Sequence, residues 1–388
     1  MGKAILFVAD PKLVKDVLVK NFKSLPNRRT FSFNEPLLDN MMSMAPVEIW
    51  QKVRPAANPA FSIGKLRKMN SLIEDCALVT TEHLKSAASR QEDIDVKQFF
   101  WDYMLDVTAR SAFATKLDSH SEKENEFVMR SRQLLSKGVT PRLLLILIFP
   151  TFAKKIGLSP FTPGVLQFFK KVLRSIIKNK ENEQDENFFR LIMGSQEETG
   201  GISPESSPEK DNPLFNLNSG TTGDTFSGTK LTEEEAMAQC ILFFLAGQEK
   251  ERKWTSASRL TLERSPCQDF ILGDTGIKVK KNDIVAVPVY ALHHDPQYFP
   301  DPLTFNPERF SEQNMASIDP YTYLPFGAGP RSCIAMRFAL HTVKVSVLHT
   351  IRNVQLVRTE KTKVPLEFPN GFGHIIAKDV ILGVRKRE

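Results

Sequence analysis

The stretch Phe326-Gly-Ala-Gly-Pro-Arg-Ser-Cys333-Ile-Ala335 constrains this 388-residue chain more than any other. Two glycines and a proline force a tight loop, and the apolar period that follows predicts a helix over Ile334–Ile351. Cys333 is thereby placed at a helix N-terminus. The helix dipole and its open N–H groups lower a thiol pKa there and present donors to the sulfur. Cys76, Cys240 and Cys267 lack such a loop and read as small buried hydrophobes. No CxxC pair occurs, so neither a zinc ribbon nor a disulfide framework is supported, and a reducing compartment is the default.

A thiolate held in a glycine-lined loop is what a haem iron needs for a sulfur axial ligand. The glycines let the backbone approach a porphyrin plane, and the sulfur donates electron density that favours O–O cleavage. Composition agrees: 28 Phe against 5 Tyr describe an apolar interior with few buried hydroxyls. The net charge of +7 is spread without blocks or nucleic-acid motifs, so no nucleic-acid partner is expected.

Periodicity predicts a mostly α chain with small β-sheets. Ala4–Ala9 reads as a strand, and Asp10-Pro11 opens a helix. Trp50 to about Ala88 reads as helical with breaks at Pro55 and Pro59, Phe99–Phe113 as a buried helix, and Val165–Lys178 as an amphipathic one. Gln196–Lys230 reads as a mobile loop or linker. Thr232 with Glu235 forms a capping box for a helix running toward Gly247. Phe270–Ile277, Asp283–Val289 and Ile375–Val384 read as short strands. The longest apolar runs, Leu143–Phe149 and Cys240–Gly247, fall far below the ~18 residues that span a bilayer. With the amphipathic helix, they leave peripheral membrane contact as the expectation.

On the Cys333 loop the sequence resembles the cytochrome P-450 monooxygenases. Their haem loop is Phe-x-x-Gly-x-x-x-Cys-x-Gly; Phe326, Gly329 and Cys333 match, and Ala335 replaces the last glycine. Pro307-Glu-Arg-Phe310 looks like the family's meander, whose Arg309 would join a buried ion network. Trp50-x-x-x-Arg54 looks like its propionate-binding helix, and Glu263-Arg264 like its propionate-binding strand. Asn27-Arg28-Arg29, Val289-Tyr-Ala-Leu-His-His-Asp-Pro296 and Met336-Arg-Phe-Ala-Leu340 resemble the microsomal, xenobiotic-oxidising clan that includes vertebrate liver and arthropod enzymes.

The resemblance implies one haem-thiolate domain over 1–388, holding haem b (iron protoporphyrin IX) with Cys333 as the iron ligand. Trp50, Arg54, Arg264 and Arg331 would pair with its two carboxylates, and Phe326 and Gly329 would shape the loop. It implies insertion of one oxygen atom from dioxygen into an apolar small molecule, with electrons from an NADPH-dependent flavoprotein reductase. The cavity would draw on Phe243 and Phe244. The location implied is the cytosolic face of the endoplasmic reticulum membrane.

Two departures stand out. The family's N-terminal anchor region has no counterpart here, so the expected attachment is peripheral or cytosolic. Ala246-Gly247-Gln248-Glu249 looks like the oxygen-side motif Ala-Gly-x-Glu/Asp-Thr-Thr, but Lys250 and Glu251 follow the acid. Glu249-x-x-Arg252 also fits Glu-x-x-Arg, which lies on the thiolate side. Two residues span at most about 7 Å, so Glu249 cannot serve both faces. The reading is an internally deleted chain lacking a block of helices after Gln248, with impaired or absent catalysis as the alternative to turnover.

Overall fold

The computed structural model describes residues 4–29, 35–135, 231–251, 261–367 and 377–387, with most of 145–178 and all of 188–194. The predicted loop 196–230 and Arg252 lie outside the described residues.

The chain opens with β1 (Ile5–Phe7) and α1 (Pro11–Lys15). Asp10 caps α1 as its composition predicts: its carboxylate accepts from the N–H of Lys12 and Leu13. Next come α2 (Pro36–Asp39), α3 (Val47–Ala57), α4 (Ile63–Lys68), α5 (Asn70–Ser89), β2 (Asp93–Asp95), α6 (Val96–Phe113) and α7 (Glu126–Leu135). Pro55 does not break α3; the chain runs on to Ala57 and tightens into a 3-10 turn over Asn58–Phe61, where Pro59 sits. The middle carries α8 (Pro150–Lys155), α9 (Val165–Lys178), α10 (Phe188–Gly194) and α11 (Glu233–Glu251). The capping box forms as expected, with Thr232 N–H donating to Glu235 at 2.7 Å and Glu235 N–H to Thr232 Oγ1 at 3.2 Å.

The last third carries β3 (Leu262–Arg264), β4 (Phe270–Ile271), β5 (Lys278–Val279), β6 (Ile284–Val287) and α12 (Val289–His293). After the meander come α13 (Glu312–Met315), α14 (Met336–Asn353), β7 (Val354–Val357) and β8 (Ile381–Lys386). One sheet has the order β1-β6-β3, with β1 parallel to β6 and β3 antiparallel to it. A second has the order β2-β8-β7, and β4 pairs with β5.

The largest apolar core lies between the helices. α11 packs against α6, and Gly247 makes the close approach possible: a Cβ there would stand 2.4 Å from Thr108 Cγ2. Phe113, Phe127, Phe169 and Phe244 interlock with centroids 5.3–5.9 Å apart. Each such buried ring contributes about 2–3 kcal/mol. This settles the role of two phenylalanines expected to line a cavity. Phe244 is fully buried in this cluster, and Phe243 packs on Phe61, Phe188 and Phe338. Both are packed core. The apolar side of α9 joins the same core through Val165, Leu166, Phe169 and Leu173, so that face is not free for a membrane.

Candidate functional site

The Cys333 loop is held from within and from three other segments. Gly327 and Gly329 take φ of +73° and +71°, which a side chain resists. At Gly329 a Cβ would stand 2.1 Å from the Leu18 carbonyl oxygen, so only glycine fits. Cys333 N–H donates to the Phe326 carbonyl at 2.9 Å, and Ser332 N–H to Gly329 at 2.9 Å. Three residues later α14 begins. Ala335, in place of the family's glycine, has φ −93°, which alanine adopts without strain.

Three guanidiniums grip the loop. Arg54 Nη1 donates to the Ser332 carbonyl at 2.8 Å, and Arg28 Nη2 to the Arg331 carbonyl at 2.7 Å. Arg331 itself is 3% exposed and donates to the carbonyls of Pro26, Met42 and Ala45. Its guanidinium stacks over the buried Trp50 ring. Burial pushes the Arg331 pKa down to about 9, with Arg28 and Arg54 adding repulsion and Glu48 a weaker opposing pull. Burial likewise lowers Arg54 to about 10, partly offset by the Cys333 sulfur. Arg331 is thus a buried cation, and Arg54 a half-buried one, both held by neutral oxygens rather than by a carboxylate.

Such surplus positive charge is costly unless an anion joins it. A ligand with two carboxylates beside a sulfur donor answers that cost, so these residues fit haem. Arg264 sits one strand away. It is 1% exposed on β3, its Nη1 donates to the Glu263 carbonyl, and the next residue, Ser265, bonds to Asn27 beside Arg28.

Arg28 was not among the residues expected from sequence. Its neighbour Arg29 forms a bidentate pair with Glu263 at 2.9 and 3.0 Å, leaving Arg28 to turn toward the loop. The Arg28-Arg29 doublet was the available signal, but only the Glu263 contact separates their roles. Arg309 was expected to join a buried ion network, and the side chains of Glu249 and Arg252, its expected companions, lie outside the described residues. Arg309 binds the carbonyls of Pro300, Asp301 and Thr304 within its own meander, and no carboxylate is among these partners. Glu249 lies on α11 beyond Gly247, in a helix continuous to Glu251; its side chain lies outside the described atoms.

Comparison with known proteins gives the family of the chain as a whole. The profile of the family Cytochrome P450 matches residues 1–250 and 252–381. The chain is 29% identical to cytochrome P450 3A56 of Fundulus heteroclitus, over 94% of this chain and 80% of that protein. It is 30% identical to cytochrome P450 3A27 of Oncorhynchus mykiss, over 94% and 78%, and to cytochrome P450 3A29 of Sus scrofa, over 99% and 83%. The chain belongs to the cytochrome P450 family, the haem-thiolate monooxygenases.

The match is also uneven. The alignment to the Fundulus protein runs 426 positions while covering 94% of 388 residues, so roughly 60 positions of that relative have no counterpart here. The family match parts at residue 251, close to Gln248. No helix of the described residues is long and apolar enough to cross a membrane.

Proposed function

We propose that this chain binds haem b through Cys333, with Arg28, Arg54 and Arg331 holding the haem carboxylates and Arg264 and Trp50 bracing them. The carrying observation is the pair of guanidiniums, Arg331 buried and Arg54 half-buried, bound to neutral carbonyl or amide oxygens beside the sulfur. When bound, haem supplies the iron centre at which dioxygen is activated. Cys333 offers the sulfur, and the positive end of α14, three residues on, favours its negative charge. The reaction to which this architecture belongs inserts one oxygen atom into an apolar small molecule, with electrons from an NADPH-dependent flavoprotein reductase. Glu249 stands where the acid of the oxygen-side acid–alcohol pair would be but also opens Glu-x-x-Arg252, and Lys250 takes the place of the alcohol.

A second reading, a haem-binding chain with impaired turnover, has its own support. The family match parts at residue 251, and roughly 60 positions of a relative lack a counterpart. Beside the meander, Leu303 and Phe305 are 89% and 93% exposed, two apolar side chains uncovered among the described residues. Attachment to the endoplasmic reticulum surface is peripheral in this proposal, through the exposed Ile148, Phe149, Phe152 and Ile156.

A ferrous-CO spectrum followed by turnover with added reductase tests both readings. A thiolate-type band with turnover supports the first, and the band without turnover supports the second. Absence of any haem band from the folded chain overturns the proposal.

A further inference from the structure

We propose that His293 is a positioning residue for the Cys333 loop, fixing the backbone at Leu324, from which the loop springs. His293 closes α12, directly after β6, the central strand of the β1-β6-β3 sheet. Its Nε2 accepts a hydrogen bond from the Leu324 N–H at 2.8 Å. The imidazole lies among aromatic rings, 5.1 Å from Tyr323 and 6.3 Å from Phe299 between centroids.

Leu324 is 2% exposed, so its N–H must find a partner inside the protein. The next residue is Pro325, which has no N–H to offer. The Leu324 amide is therefore the last backbone donor before the turn. From there the bonds continue toward the sulfur. The Leu324 carbonyl accepts from Gly327 N–H at 3.1 Å, and the Phe326 carbonyl accepts from Cys333 N–H at 2.9 Å. The imidazole is the first of three links between the sheet and the residue carrying the thiol.

Accepting at Nε2 requires a lone pair there and places the ring proton on Nδ1. Burial and the neighbouring His294 hold the imidazole pKa down to about 4, so the ring is neutral near pH 7. A phenylalanine would keep a flat ring among Tyr323 and Phe299 but leave the Leu324 N–H without an acceptor. A glutamine would return an oxygen at similar reach.

The inference takes Cys333 as the haem ligand, as proposed above, but its test needs no haem. His293→Phe and His293→Gln are compared with the parent chain, all haem-free. Amide exchange at Leu324 and Gly327, and the alkylation rate of Cys333 resolved by peptide mass, are the readouts. In His293→Phe both should rise about tenfold, as expected when a buried donor loses its partner, while β6 amides stay protected. His293→Gln should restore both to near the parent rates. Unchanged rates in His293→Phe, or equal changes in both variants, overturn the inference. If His293→Phe does not fold, side-chain nitrogen shifts of the parent decide. A proton on Nδ1 near neutral pH supports the link, and one on Nε2 overturns it. A haem spectrum indifferent to Cys333→Ser would instead sink the ligand assignment and leave these readouts untouched.

Discussion

The Arg331 guanidinium carbon lies 4.6 Å from the centroid of the Trp50 ring. The contact joins the Cys333 loop to α3 through a cation over an aromatic face, with carbonyls of Pro26, Met42 and Ala45 around it. Arg331→Lys keeps the charge but loses the flat fork that fits both ring and carbonyls. We expect it to destabilise the chain by about 2 kcal/mol and to weaken haem uptake about tenfold. Urea unfolding and haem titration measure the two effects. Parent-like values in both would contradict this account of the cluster.

Cys333→Ser should abolish any thiolate-type CO-shifted absorption, whereas Cys76→Ser, Cys240→Ser and Cys267→Ser should retain it. Cys76 and Cys240 are buried thiols, and burial pushes Cys76 up to about 12 and Cys240 upward as well. Neither is poised to ionise. Their serine variants should lose about 1–3 kcal/mol of stability through a buried hydroxyl, without loss of the spectrum. A retained band in Cys333→Ser would assign the ligand elsewhere.

Gly329→Ala meets two obstacles together, a φ of +71° and a backbone oxygen 2.1 Å from the new Cβ. Strain of this kind costs on the order of 1–3 kcal/mol before the clash is relieved. The variant should melt lower and take up less haem, while Gly276→Ala, with open space around it and a similar φ of +70°, should affect stability only. Comparable haem uptake in the two variants would argue against a tight loop.

Stability should carry a pH signature from Asp106. Its carboxylate is 1% exposed and accepts from the Ser119 N–H and hydroxyl. Burial nevertheless raises its pKa to about 7, above the unfolded value of about 3.9. The folded state therefore favours the protonated form. The associated stability is fully present below about pH 3.9 and is lost as pH rises through about 7. Asp106→Asn should remove this loss, so its advantage over the parent grows with pH to about 2–4 kcal/mol. Urea melts at mildly acidic and mildly alkaline pH measure it, and a constant difference would refute the assignment.

Replacing Phe149 and Phe152 together by Glu should reduce binding to lipid vesicles about tenfold, since both rings are over half exposed beside Ile148 and Ile156. Alkaline carbonate should release the parent chain from microsomes. Persistence in the stripped membrane would count against peripheral attachment.

The parts legible in the sequence were those written locally. The Cys333 loop needs glycines at fixed offsets, and the cap of α11 needs Thr232 three residues before Glu235, so composition and spacing carry both. Arg28 was hidden because a doublet of arginines does not say which one meets an acid; Glu263, far along the chain, decides it. Phe243 and Phe244 were misread because abundant phenylalanine describes a filled core as well as a cavity wall. β2 escaped notice because Asp93-Ile-Asp95 has no strand signature of its own; its register comes from β8. Pro55 was expected to break α3, yet the backbone absorbed it and turned at Asn58.

The parallel pairing of β1 with β6 bears on how the chain is made. Ile5 meets Ile284, so roughly 280 residues must be synthesised before that strand acquires its partner. At about 5–20 residues per second this delay is on the order of half a minute. Throughout it, Val14, Val17 and Leu18, fully buried in the finished protein, have no sheet to cover them. A nascent chain of this topology closes late, because its longest-range contacts form only near the end of translation. Its yield in a cell should depend on chaperones that hold the early segment, and a slower ribosome would lengthen their task.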